Sequence, residues 1–138
     1  MRMDKFTSRL QSALSDAQSL SIGRDHQFIE PSHLMMALLD QDSGGARHLL
    51  VQAGVKVQQL RAQLVEAIDR LPKVGGSDGD IQLSNELIRL LNVSDKFTQR
   101  RGDRYISSEM FILASCGANN EISRHLTVSY TTLPHPTQ

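Results

Sequence analysis

The chain has no tryptophan, a single cysteine, few aromatics and no net charge, and each scarcity removes a class of function. Aromatic residues make up 4% of it, too few for the stacking platforms that hold single-stranded nucleic acid. Fifteen basic residues against fifteen acidic ones leave no overall field to draw in nucleic acid or an anionic membrane, so partners must be recognised locally. The lone Cys116 has no intrachain disulfide partner and no CxxC companion, which suits a reducing compartment, with the cytoplasm as the default. No apolar run approaches the roughly 20 residues of a membrane span. The opening Met1-Arg2-Met3-Asp4 leads into an amphipathic helix rather than a signal-peptide core. At 138 residues, one domain with a small core is expected.

What is present is a repeat. The stretch Phe28-Ile29-Glu30-Pro31-Ser32-His33-Leu34-Met35-Met36-Ala37 returns as Tyr105-Ile106-Ser107-Ser108-Glu109-Met110-Phe111-Ile112-Leu113-Ala114, a shift of 77 residues. The same ungapped shift carries Phe6 to Leu83, Thr7 to Ser84, Leu10 to Leu87, Leu14 to Leu91 and Leu20 to Phe97. One register that preserves apolar positions together with two cap hydroxyls argues for a duplicated helical unit.

In chain order, Thr7 reads as the N-cap of a first helix with Phe6 before it as a staple, and Leu10, Ala13, Leu14, Ala17 and Leu20 form its apolar stripe. Pro31 marks the start of a second helix, Gly54 the stop of a short third, and Val57, Leu60, Leu64 and Ile68 the core side of a fourth that ends before Pro72. The expected organisation is all-α: a first repeat over residues 1–71, a Gly/Asp joint over 72–82, an incomplete second repeat over 83–126 and an irregular tail over 127–138. Four helices are expected in the first copy and about three in the second, whose last includes Arg124-His125-Leu126.

Catalytic motifs are missing. No GxxxxGK[ST] is present to cradle phosphates, and Gly75-Gly76-Ser77-Asp78-Gly79 lacks the lysine of a P-loop. His26, His33 and His48 have neither HExxH spacing nor a cysteine partner, so surface or cap-side histidines account for them better than a metal site. Cys116 and His125 have no orienting group, and a buried small thiol is the simpler reading. Lys96, Arg100, Arg101 and Arg104 are interleaved with Asp95, Asp103 and Glu109, as on a mixed solvated face rather than a phosphate-tracking one. The two copies do differ usefully: Gln11, Asp16 and His33 become Ile88, Val93 and Met110, which suggests an apolar patch on the second copy.

With its capped first helix, the Phe28–Leu39 stretch, the Gly/Asp joint and the Arg101-Gly102-Asp103-Arg104-Tyr105-Ile106-Ser107-Ser108-Glu109 echo, the chain resembles the Clp amino-terminal domain family, and within it the bacterial disaggregase branch. The likeness runs over about residues 1–114 and fades at Ser115-Cys116-Gly117. It implies a non-catalytic all-helical pseudo-repeat, monomeric in isolation, that captures unfolded or aggregated polypeptide for a hexameric AAA+ ring working with an Hsp70-type system. ATP and magnesium would belong to that motor, and no cofactor is implied for this chain. The resemblance implies substrate-handling roles for Thr7, Asp103 and Glu109, beside an apolar groove to which Leu90, Phe97 and Met110 match. Val93 joins that set from the comparison of copies. An adaptor-docking module of a Clp protease unfoldase is the alternative.

Overall fold

The structure, a computed structural model, describes residues 2–41, 45–74 and 81–117. After a 3-10 turn at Met3–Lys5 come α1 (Ser8–Gly23), β1 (Phe28–Ile29), α2 (Pro31–Leu39), α3 (Gly45–Gln52) and α4 (Val57–Asp69), then β2 (Gln82–Leu83), α5 (Asn85–Arg101) and α6 (Ser108–Cys116). The expected helix around Arg124–Leu126 and the tail over 127–138 lie outside the described residues.

The duplication holds at the level of single hydrogen bonds. Thr7 Oγ1 accepts the Leu10 N–H at 3.3 Å, and Ser84 Oγ accepts the Leu87 N–H at 3.1 Å. Each satisfies one donor that a helix N-terminus leaves unpaired. At the other ends of α1 and α5, the Ser21 hydroxyl donates to Ala17 O and the Thr98 hydroxyl to Ser94 O, both at 2.8 Å. The turn that follows is shared too, with His26 N donating to Ser21 O and Asp103 N to Thr98 O. It needs one left-handed residue, which is Asp25 at φ 58° in the first copy and Gly102 at φ 81° in the second. Aspartate tolerates that region by local hydrogen bonding, and glycine enters it freely.

The copies are joined by exchange. β1 pairs in parallel with β2, which opens the second copy, while Phe6, which opens the first, bridges to Ile106 in the second. Thr7 N donates to Ile106 O at 2.9 Å and Ser84 N donates to Ile29 O at 3.0 Å. Under the 77-residue shift these two bonds are images of each other, so the repeats are related by a pseudo-two-fold exchange of their leading segments. Phe6, expected as a staple on its own helix, is thus a link between copies. The all-helical expectation is met with this small addition of strand.

α2 lies at the centre, buried at every position from Pro31 to Leu39. A helix apolar on all sides has to be enclosed on all sides; α1, α3, α4 and α5 pack around it. Leu10 and Leu87, equivalent under the repeat, are both fully enclosed in one continuous core that includes residues of both copies. Leu10→Ala and Leu87→Ala should therefore each lower stability by about 2–5 kcal/mol. In urea both variants should unfold in a single transition; two separated transitions would show that the copies fold independently.

Candidate functional site

The exchange brings Thr7 to the second copy. Its backbone N–H donates to Ile106, which lies between Asp103 and Glu109 in sequence, while its hydroxyl caps α1. Arg101, at the end of α5, gathers the two acids: its Nε lies 3.2 Å from Asp103 Oδ2 and its Nη1 3.0 Å from Glu109 Oε1. Glu109 sits in the first turn of α6, where its charge also favours the positive end of the helix. The Ser107 hydroxyl caps that helix by accepting the Met110 N–H at 3.4 Å. Arg101, not singled out from sequence for this role, thus ties Asp103 to Glu109, and Thr7 is bonded to Ile106 in the segment between those two acids.

Val93, Phe97 and Arg101 follow one another at intervals of four, the spacing that places residues on one face of a helix. Val93 and Phe97 are half-buried at the margin of the core, as is Leu113 on α6. α5 therefore carries a ridge that is apolar for two turns and ends in the ion-paired corner. The interval of four running on from Phe97 is the signal in the sequence that would have added Arg101.

Two expected groove residues belong elsewhere. Leu90 is 1% exposed and Met110 2% exposed, both within the core, so neither presents a face to solvent. The reason lies in the first copy, where His33, the counterpart of Met110, is itself wholly buried. Replacing His33 by methionine changes what the core contains and exposes nothing. Gln11 to Ile88 is the exchange that reaches the surface, with Ile88 41% exposed.

The family model described as the Clp repeat (R) N-terminal domain matches residues 5–128. The chain belongs to this family. As a Clp N-terminal domain it is 58% identical over 115 residues to the chaperone protein ClpB of Vibrio cholerae, covering 83% of this chain and 13% of that protein. To ClpB of Pseudomonas putida it is 47% identical over 126 residues, covering 91% of this chain and 15% of that one. The chain thus spans about a seventh of the length of these curated relatives. Among solved structures, the Hsp104 N-terminal domain from Candida albicans superposes with a TM-score of 0.78 at 16% identity, covering 91% of this chain and 81% of that one. A complex of a ClpV N-domain with a VipB peptide gives 0.69 at 23% identity, covering 99% and 81%. At such identities the structural likeness establishes the fold alone.

Metal and nucleophile chemistry find little support in this Clp N-terminal domain. No group of three or more metal-ligating side chains gathers among the described residues. Burial pushes the Cys116 thiol up to about 11, which keeps it neutral and poorly nucleophilic; His125 lies outside the described residues. Nor is any described helix long and apolar enough to cross a membrane.

The expectation of surface or cap-side histidines is corrected for His26, which is buried, while His33 is cap-side as expected but buried as well. The Glu30 N–H donates to His33 Nδ1 at 2.8 Å, which puts the proton of the neutral ring on Nε2. That N–H donates in turn to His26 Nδ1 at 2.8 Å, leaving the His26 proton on Nε2, where it has no hydrogen-bond partner among the described residues. The pair is a capping and core device: His33 is cap-side, as expected, yet enclosed.

Burial, with the nearby His26 and Arg24, lowers the His33 pKa to about 4. His26 is lowered as well, by burial and then by Arg24 and Lys73. The unfolded chain binds a proton at His33 more readily than the folded one, so this stability is present above the ordinary histidine value of 6.5 and is lost as pH falls toward 4. From His33 alone the loss should amount to about 3 kcal/mol. Urea denaturation at pH 7.5 and 4.5 should show it, and His33→Gln, which keeps a donor and an acceptor without titrating, should flatten the dependence.

Proposed function

We propose that this Clp N domain captures exposed apolar segments of unfolded or aggregated polypeptide for a ClpB-type AAA+ disaggregase. The observation that carries the reading is the half-buried ridge of Val93 and Phe97, running along α5 into the ion-paired group of Arg101, Asp103 and Glu109. An apolar strip with a charged end holds loose chains without demanding a particular sequence, since burial is non-directional and the charges orient what lies across them. Thr7 joins this group through its bond to Ile106, in the segment between the two acids. Leu90 and Met110 belong to the buried core against which Val93 and Phe97 pack.

On this reading the remainder of the full-length protein supplies the ATP- and magnesium-dependent hexameric ring that threads the captured chain, in cooperation with an Hsp70-type system in the cytoplasm. The match to ClpB over most of this chain supports that assignment. A second reading is docking of a defined partner segment, favoured by the related ClpV N-domain in complex with a VipB peptide. On this chain the same ridge would serve.

The test is fluorescence anisotropy with labelled, reduced and carboxymethylated α-lactalbumin as the unfolded probe. The Val93→Asp, Phe97→Asp double variant, checked for folding by circular dichroism and urea unfolding, should bind about tenfold more weakly, as expected from the loss of two partial apolar contacts. Unchanged affinity in the folded variant would overturn the reading.

A further inference from the structure

The ridge Val93–Phe97–Arg101 has a counterpart in the first repeat, since the 77-residue shift maps it onto Asp16, Leu20 and Arg24. In the first repeat those three residues line a cleft of about 360 Å³ between α1, α2 and α4. Its floor is apolar, made by Leu20, Met36, Val65 and Ile68. Met36 and Ala37 of this lining correspond to Leu113 and Ala114, so the same part of the fold underlies both surfaces. The volume falls in the range of roughly 300 to 1,000 Å³ typical of ligand pockets.

The rim is where the copies part. Arg24 is paired with Asp69, and Arg61 with Asp40 through bonds of 3.0 and 3.2 Å. Each of those arginines is thereby neutralised locally. Asp16 is exposed at the rim and, unlike Asp40, has no ion-pair partner among the described residues, which leaves its carboxylate available to a ligand cation. In the second repeat the positions of Asp16 and Asp40 hold Val93 and Gly117, and neither acid is retained.

We infer that the cleft between α1, α2 and α4 is a second polypeptide-binding site, selective for segments in which a large apolar side chain is followed closely by lysine or arginine. The apolar side chain occupies the floor over Leu20 and Val65, and the cation lies against Asp16. The two repeats thus offer related surfaces with different flank preferences: a cation-seeking cleft in the first and an apolar ridge in the second. The choice of a polypeptide as ligand rests on the function proposed above, whereas the site and its charge preference rest on the first repeat's own geometry.

The chain labelled with 15N is titrated with two 12-residue peptides of identical leucine pattern, one with lysine and one with glutamate at every other position. The amides of Leu20, Ala37 and Val65 should shift on adding the Leu/Lys peptide, with an affinity about fivefold above that for the Leu/Glu peptide, as one partly exposed ion pair allows. Asp16→Lys, at an exposed position, should abolish that preference while leaving any shifts of Val93 and Phe97 unchanged. First-repeat shifts with Val93 and Phe97 silent would sink the second-repeat reading and support this one. Shifts confined to the second repeat, equal affinity for both peptides, an unaltered preference in Asp16→Lys, or dilution-dependent shifts without peptide that reveal self-association would each overturn it.

Discussion

Two backbone hydrogen bonds, Thr7 N–H to Ile106 O and Ser84 N–H to Ile29 O, hold the leading segment of each repeat against the other repeat. Each caps residue therefore acts twice: its hydroxyl starts its own helix and its amide ties that helix start to the opposite copy. The entries to α1 and α5 are tied down by this exchange, and α2 is enclosed on all sides in a core common to both copies. Sharing one core lets each copy bury apolar surface that it would leave exposed alone.

The same exchange assembles the candidate site. Thr7 is more than ninety residues from Asp103 and Glu109 in sequence, and it is bonded into the segment between them because Phe6 pairs with Ile106. Arg101 then binds both acids from the end of α5, the place where basic residues also complement the helix dipole. The candidate site and the architecture thus draw on one set of contacts. The ridge of Val93 and Phe97 is free to diverge because it lies at the margin of the core rather than inside it. Its first-repeat counterpart diverged the other way, retaining Asp16 at the rim of a cleft.

Much of this was legible in the residues. The cap hydroxyls, Pro31 at a helix start, Gly54 as a left-handed stop and the apolar stripe of α1 follow from local chemistry that acts within one turn. Comparing the copies misled only where a polar residue was taken to be a surface residue. His33 is polar and buried, held by Glu30 and by His26, and in the second copy both members of the pair changed together, to Met110 and Asp103. With an exposed aspartate at 103 in place of the ring of His26, an apolar side chain at 110 fills the core without an unpaired polar group. Read as a pair, the substitutions describe repacking; read singly, they resembled the opening of a groove.

The sequence by itself determined the repeat, its register, the helix starts and stops, and membership of the Clp N-terminal domain family, because each depends on residues close together or on a pattern matched along the chain. Tertiary structure alone decided which of the diverged positions face water, with Ile88 exposed, Val93 and Phe97 at the margin and Leu90 and Met110 enclosed. It alone also brought Thr7 to Ile106, between Asp103 and Glu109 in the chain, and formed a cleft lined by Asp16 and Leu20. Burial depends on what the other copy places against a residue, and no local pattern carries that information.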